Sequence, residues 1–105
     1  MSREDRIFRA LADPTRRAVF ERLTRGEAPV LDLTRNFGVS QPAISQHLGV
    51  LRRAGLVRQR RDGRRAYYRV ERSALRPLVG WIERYQAFWL GRLGQMRKLL
   101  EDLDP

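Results

Sequence analysis

Residues 38–70 read GVSQPAISQHLGVLRRAGLVRQRRDGRRAYYRV, and this stretch decides the fold. Gly38-Val39 is a turn that opens onto a helix predicted over about residues 41–53. Ser40 is a good N-cap, and Pro42 falls in the first turn, where its missing N–H costs little. Ala54-Gly55 ends the helix. Two strands are predicted next, Leu56 to Arg61 and Arg64 to Val70, joined by Asp62-Gly63, the strongest short hairpin signal. With that loop Arg61 faces Arg64 and Arg60 faces Arg65. On the second strand Ala66, Tyr68 and Val70 share one face while Arg65, Tyr67 and Arg69 share the other. A helix of groove width beside a cationic ribbon of about residues 57–70 suits a small reader of double-stranded DNA.

Outward from this segment the chain reads as mainly helical. Residues 3–12 form a short helix with Ile7, Phe8 and Leu11 on one stripe. Asp13-Pro14 caps and opens a second helix, with Ala18, Val19 and Leu23 inward and Gly26 as its stop. Pro29 opens a third, short helix to about Phe37, with Val30, Leu33 and Phe37 inward. Ser73 or Pro77 starts a last helix that runs to about Leu103. Its apolar residues Leu78, Ile82, Tyr85, Trp89, Leu93, Met96, Leu100 and Leu103 recur at steps of three and four. The expected architecture is mainly α with a small β-hairpin: a winged helix-turn-helix of five or six helices plus a two-stranded wing, in a single domain over residues 1–105.

Charge is concentrated where the hairpin lies. Of the net +10, residues 1–51 contribute +2, residues 52–72 contribute +7 and residues 73–105 contribute +1. The chain has 21 Arg and one Lys, Lys98, so base composition alone explains the preference for Arg. It does not explain the local excess, which suits a polyanionic partner better than a merely solvated face. There is no cysteine, which excludes disulfides and thiolate metal sites. No apolar run approaches the ~18 residues of a membrane span, and residues 1–8 lack a signal-peptide core. A cytoplasmic location without membrane association is expected. No cofactor motif is present, and neither a glycine-rich phosphate loop nor a nucleophile with its base is found, so an enzyme is not expected.

The predicted helix over residues 41–53 divides cleanly. At 100° per residue, Leu48 and Leu51 fall within about 40° of Ile44 and mark the buried side. Pro42, Ser45, Gln46, Gly49 and Arg53 fall on the opposite half, with Gln41 and Arg52 on one flank. Gln46 can bond adenine bidentately, Ser45 suits a base edge or a phosphate, and Gly49 lets the backbone sit deeper. An ordinary solvated face carries acids, and no acid lies between Gly38 and Arg61. His47, about 60° from the buried centre, is a border residue that packs or hydrogen-bonds within the fold, or else contacts a phosphate. Arg60, Arg61, Arg64 and Arg65 crowd the hairpin tip, where like charges repel unless phosphates intervene. A charged edge strand that resists aggregation is the competing reading.

The segments LADPTRRAVFERL at 11–23, VSQPAISQHLGVLRRAGLV at 39–57 and RRDGRRAYYRV at 60–70 closely resemble the ArsR-type (ArsR/SmtB) winged-helix repressors of bacteria. The likeness covers about residues 3–100. It implies a homodimer whose first and last helices, about 3–12 and 77–103, form the interface, with recognition helices in successive major grooves and wings on the flanks. By position it implies DNA contacts at Gln41, Pro42, Ser45 and Gln46, with Arg61 to Arg65 as the wing. Metal-sensing members carry a cysteine pair in the third helix or a His/Asp set in the last. Here the third helix offers Asp32, and the last offers Glu83, Glu101 and Asp102 without His, so the chain resembles the metal-independent branch and no metal site is expected.

The dimer also has support from the residues alone. Trp81, Phe88, Trp89, Leu90 and Leu93 span too wide an arc for one neighbouring helix, and patches of that kind usually mark a partner surface. With Ile82, Tyr85, Met96 and Leu100, and with Phe8 and Leu11 of the first helix, they form the expected interface. The alternatives are internal core or an organic ligand pocket; an organic effector, if one exists, is expected between subunits. The competing function is a winged-helix module that binds protein or RNA without reading an operator.

Overall fold

The computed structural model describes residues 1–103. Five α-helices and three strands follow one another as α1 (Arg3–Ala12), α2 (Pro14–Leu23), β1 (Ala28–Pro29), α3 (Val30–Phe37), α4 (Gln41–Arg53), β2 (Val57–Asp62), β3 (Arg65–Val70) and α5 (Leu75–Leu103), with a 3-10 turn at Arg72–Ala74 before α5. Met1–Leu75 form one compact unit and the rest of α5 forms a second.

Local chemistry sets the helix ends. The Ser2 hydroxyl accepts from the Asp5 N–H while the Asp5 carboxylate accepts from the Ser2 N–H, a capping box at the start of α1. Asp13 caps α2, accepting from the Arg16 N–H at 2.9 Å, which holds its carboxyl below the ordinary range. Ser40 caps α4 through the Ala43 N–H at 3.2 Å. Between α3 and α4 the chain must reverse within three residues. Gly38 does this at φ 63°, donating its N–H to the Thr34 carbonyl, in a conformation that a Cβ would strain.

These helices bury one side each. Ile7 and Ala10 of α1, Val19, Phe20 and Leu23 of α2, Leu33 of α3, and Ile44, Leu48 and Leu51 of α4 meet Leu56, Val57 and Tyr68 of the sheet region in one core. Phe20 is buried on α2, whereas Ala18, expected inward, is only half-buried. In the second unit, α5 carries no buried residue.

The sheet departs from expectation in two ways. It has three strands in the order β1-β3-β2, all antiparallel, rather than the two of the hairpin. Ala28 and Pro29 pair with Tyr68 and Tyr67, and an edge is where a proline without an N–H is tolerated. The hairpin loop is Gly63-Arg64, not Asp62-Gly63, and the register is Asp62↔Arg65, Arg61↔Ala66 and Arg60↔Tyr67. Within the loop only Gly63 has positive φ, at 62°, the pattern of a loop with glycine first. The expected loop would have forced Asp62 into that conformation as well. The slip is two residues, so every side chain keeps its face. Like-charged pairs at the tip are replaced by Asp62 opposite Arg65 and by Arg60 stacked 4.6 Å from the Tyr67 ring centre.

Candidate nucleic-acid interface

The α3–turn–α4 pair presents one clear face. Ile44, Leu48 and Leu51 are fully buried, while Gln41, Pro42, Ser45, Gln46, Arg52 and Arg53 are exposed. The side chains of Gln41, Ser45 and Gln46 make no hydrogen bond to any described residue, so their donors and acceptors have no partner within the fold. The Ser40 cap and the Pro42 ring fix the first turn from which they project.

Other residues of α4 are engaged within the unit. Arg52 Nη1 donates to Gln59 Oε1 at 2.5 Å, tying the helix to β2. Arg53 folds back over Gly49, where a Cβ would lie 3.3 Å from its Nη1. The gap expected at Gly49 is thus covered by a guanidinium, whose flexible end can move aside. His47 is half-buried, and its Nδ1 accepts from Arg16 Nε at 3.4 Å. That contact links α2 to α4, and no sequence spacing points to Arg16.

The cationic residues at the hairpin tip fall into two groups. Arg61, Arg64 and Arg65 are exposed and form no ion pair among the described residues. Arg60 differs from them. Its Nη2 and Nε donate to the two Glu27 carboxylate oxygens at 2.6 and 3.3 Å, and its guanidinium stacks on Tyr67. Glu27 was missed as a functional candidate because it lies thirty-three residues from Arg60 and is brought there only by β1 pairing with β3.

This clamp has a pH signature. The Arg60 hydrogen bond holds the Glu27 carboxyl below the ordinary Glu range. A depressed folded value means that the clamp stabilises the wing above the ordinary carboxylate range and is lost as pH falls through the lowered one. The stability difference between the wild-type protein and Glu27→Gln is therefore expected to be larger at neutral pH than in strong acid. Urea midpoints at the two conditions check it; a difference that grows on acidification contradicts the clamp.

On α5 the residues expected at an interface form an apolar strip. Ile82, Tyr85, Phe88, Trp89, Leu93, Met96 and Leu100 are all exposed, Trp89 at 55% and Leu100 at 66%. Phe88 and Trp89 meet edge to face at 5.5 Å, and Trp81 lies 4.4 Å from Tyr85. On α1, Phe8 and Leu11 are half-buried. Among the described residues no helix is long and apolar enough to cross a membrane.

A family model described as a helix-turn-helix domain matches residues 11–60, which run from the end of α1 into β2. The chain is 42% identical over 97 residues to the HTH-type transcriptional regulator Rv2034 of Mycobacterium tuberculosis, covering 92% of this chain and 88% of that protein. It is 33% identical over 76 residues to the transcriptional repressor SdpR of Bacillus subtilis, covering 72% and 84% respectively. Among solved structures it is similar to an ArsR-like transcriptional regulator from Rhodococcus sp. RHA1, with a TM-score of 0.72 at 31% identity over 92% of each chain.

Proposed function

Because the chain belongs to the ArsR family of helix-turn-helix transcriptional regulators, which are DNA-binding proteins and not enzymes, we propose that it represses transcription as a homodimer that grips a pseudo-palindromic operator. In this reading α4 enters the major groove, and Gln41, Pro42, Ser45 and Gln46 meet the bases. Arg61, Arg64 and Arg65 of the wing follow the flanking phosphates. Arg52, Arg53 and His47 sit at the rim, where phosphate contact is the expected role. Arg60 positions the wing through Glu27 and Tyr67. The observation that carries the reading is the free polar face of α4, held rigid by a buried side of Ile44, Leu48 and Leu51.

Two copies joined through α1 and α5 place two such helices in successive grooves, with half-sites about 10 bp apart or a multiple of that. Phe8, Leu11, Trp81, Ile82, Tyr85, Phe88, Trp89, Leu93, Met96 and Leu100 supply the seam. An organic effector that entered the seam would meet the rings of Tyr85, Phe88 and Trp89. Without cysteine, and with no group of three or more His, Asp or Glu placed to hold an ion among the described residues, release from DNA is proposed to be independent of divalent metals. The protein would act where the chromosome is, in the cytoplasm.

The roles of α4 and the wing separate by mutation. Gln46→Ala is expected to relax preference at one base pair at a cost of roughly 1–3 kcal/mol, with the salt dependence unchanged. Arg64→Ala is expected to weaken binding evenly across sequences and reduce the salt slope by about one. Binding titrations on an operator and its single-base variants at several salt concentrations read both. Equal losses of specificity from the two changes contradict the division.

A further inference from the structure

An open cavity of about 880 Å³ lies at the base of the wing, between the α2–β1 loop, the outer ends of β2 and β3, and the 3-10 turn. Four arginines from these separate elements line it: Arg25, Arg58, Arg69 and Arg72. The register sets Arg58 directly opposite Arg69, a like-charged pair that a sheet avoids unless something offsets it. Glu71 offsets one member, ion-pairing with Arg58. Glu27, the other acid of the lining, is engaged by Arg60, which lies outside the cavity. Arg25 and Arg72 therefore face this space with no side-chain hydrogen bond or ion pair among the described residues, and Arg69 has only the longer-range attraction of Glu27, which Arg60 already engages.

We propose that this cavity binds a small, multiply charged organic anion, a phosphate ester or a polycarboxylate, at a site separate from the polar face of α4. Two guanidiniums without a partner, Arg25 and Arg72, and a third, Arg69, only partly offset by Glu27, call for at least two negative charges, which a monoanion cannot supply. Guanidinium forks match carboxylate and phosphate oxygens in pairs and stay charged at any physiological pH. Leu23 and Val70 add an apolar wall for the carbon skeleton of such a ligand. The volume falls in the range of small-molecule sites. Glu27 borders the cavity and also fixes Arg60, so an occupant adjoins the side chain that positions the wing.

The test uses the full chain without DNA, so it stands whether or not the operator reading holds. Titration calorimetry with inorganic pyrophosphate and with citrate is run at constant ionic strength, with acetate and chloride as controls. Saturable binding of one anion per chain is expected for at least one probe; pyrophosphate points to a phosphate ester and citrate to a polycarboxylate. Arg69→Gln combined with Arg72→Gln is expected to weaken it about tenfold or more, while Arg64→Gln, at the hairpin loop, leaves it unchanged. Circular dichroism verifies that each variant is folded, and Arg25→Gln alone serves as a milder second probe. Absence of saturable binding overturns the proposal, as does equal binding of acetate or equal loss in Arg64→Gln.

Discussion

Glutamate at both Trp89 and Leu93 is expected to yield a folded monomer whose operator affinity is lower by about a hundredfold or more. Both side chains are about half exposed on α5, and the whole helix buries no residue in the single chain. A helix of 29 residues is about 43 Å long, and its apolar strip continues from Ile82 to Leu100. An exposed strip of that length favours a partner of its own kind, because a two-fold arrangement covers both copies at once. Two carboxylates placed in the seam would have to be desolvated without a partner, which costs several kcal/mol and reverses the association. Each monomer would then hold one half-site, and the gain from linked binding would vanish. Sedimentation analysis reads the mass, circular dichroism the fold, and a binding titration the affinity. A dimer that persists in this variant contradicts the assignment of α5.

The second large effect is on the fold that carries the reading helix. Leu48→Ala is expected to cost about 2–5 kcal/mol of stability. Leu48 has no exposed surface and lies between Ile44 and Leu51, which are also fully enclosed. Removing its branched end leaves a cavity in the layer that sets the height of α4 above the core. A domain of this size has only about 5–15 kcal/mol to lose, so much of the margin goes with one side chain. Urea denaturation at a fixed protein concentration measures the change, since association would otherwise shift the midpoint. Ser45→Ala, on the exposed face of the same helix, is the control and is expected to stay within about 0.5 kcal/mol of the wild-type protein. A loss below about 1 kcal/mol for Leu48→Ala would mean that α4 is not anchored as described.

These two expectations rest on parts of the structure that differ in how legible they were. The α4 boundaries and its two faces could be read directly, because Ser40, Pro42 and Gly55 punctuate a strict helical period in Ile44, Leu48 and Leu51. The α5 helix was legible for the same reason, although periodicity says nothing about what covers its apolar strip. The hairpin was visible, but not its register. Asp62-Gly63 and Gly63-Arg64 are both plausible loops locally, and cross-strand pairing decides between them by setting Asp62 against Arg65 and Arg60 against Tyr67. The two-residue strand β1 carries no periodic signal at all. Its consequences, the Glu27 clamp on Arg60 and the arginine cavity at the wing base, arise from pairing across more than thirty residues. The Arg16–His47 contact is hidden in the same way, since it depends on how α2 packs on α4.

Selection of bound fragments from a random duplex library, sequenced after several rounds at near-physiological salt, bears most directly on the dimeric operator reader. Enrichment of one inverted repeat is expected, with half-sites centred about 10 bp apart, or a multiple of that, and bound by two chains. Salt-sensitive binding with no sequence enrichment, or enrichment of a lone half-site held by one chain, would contradict it.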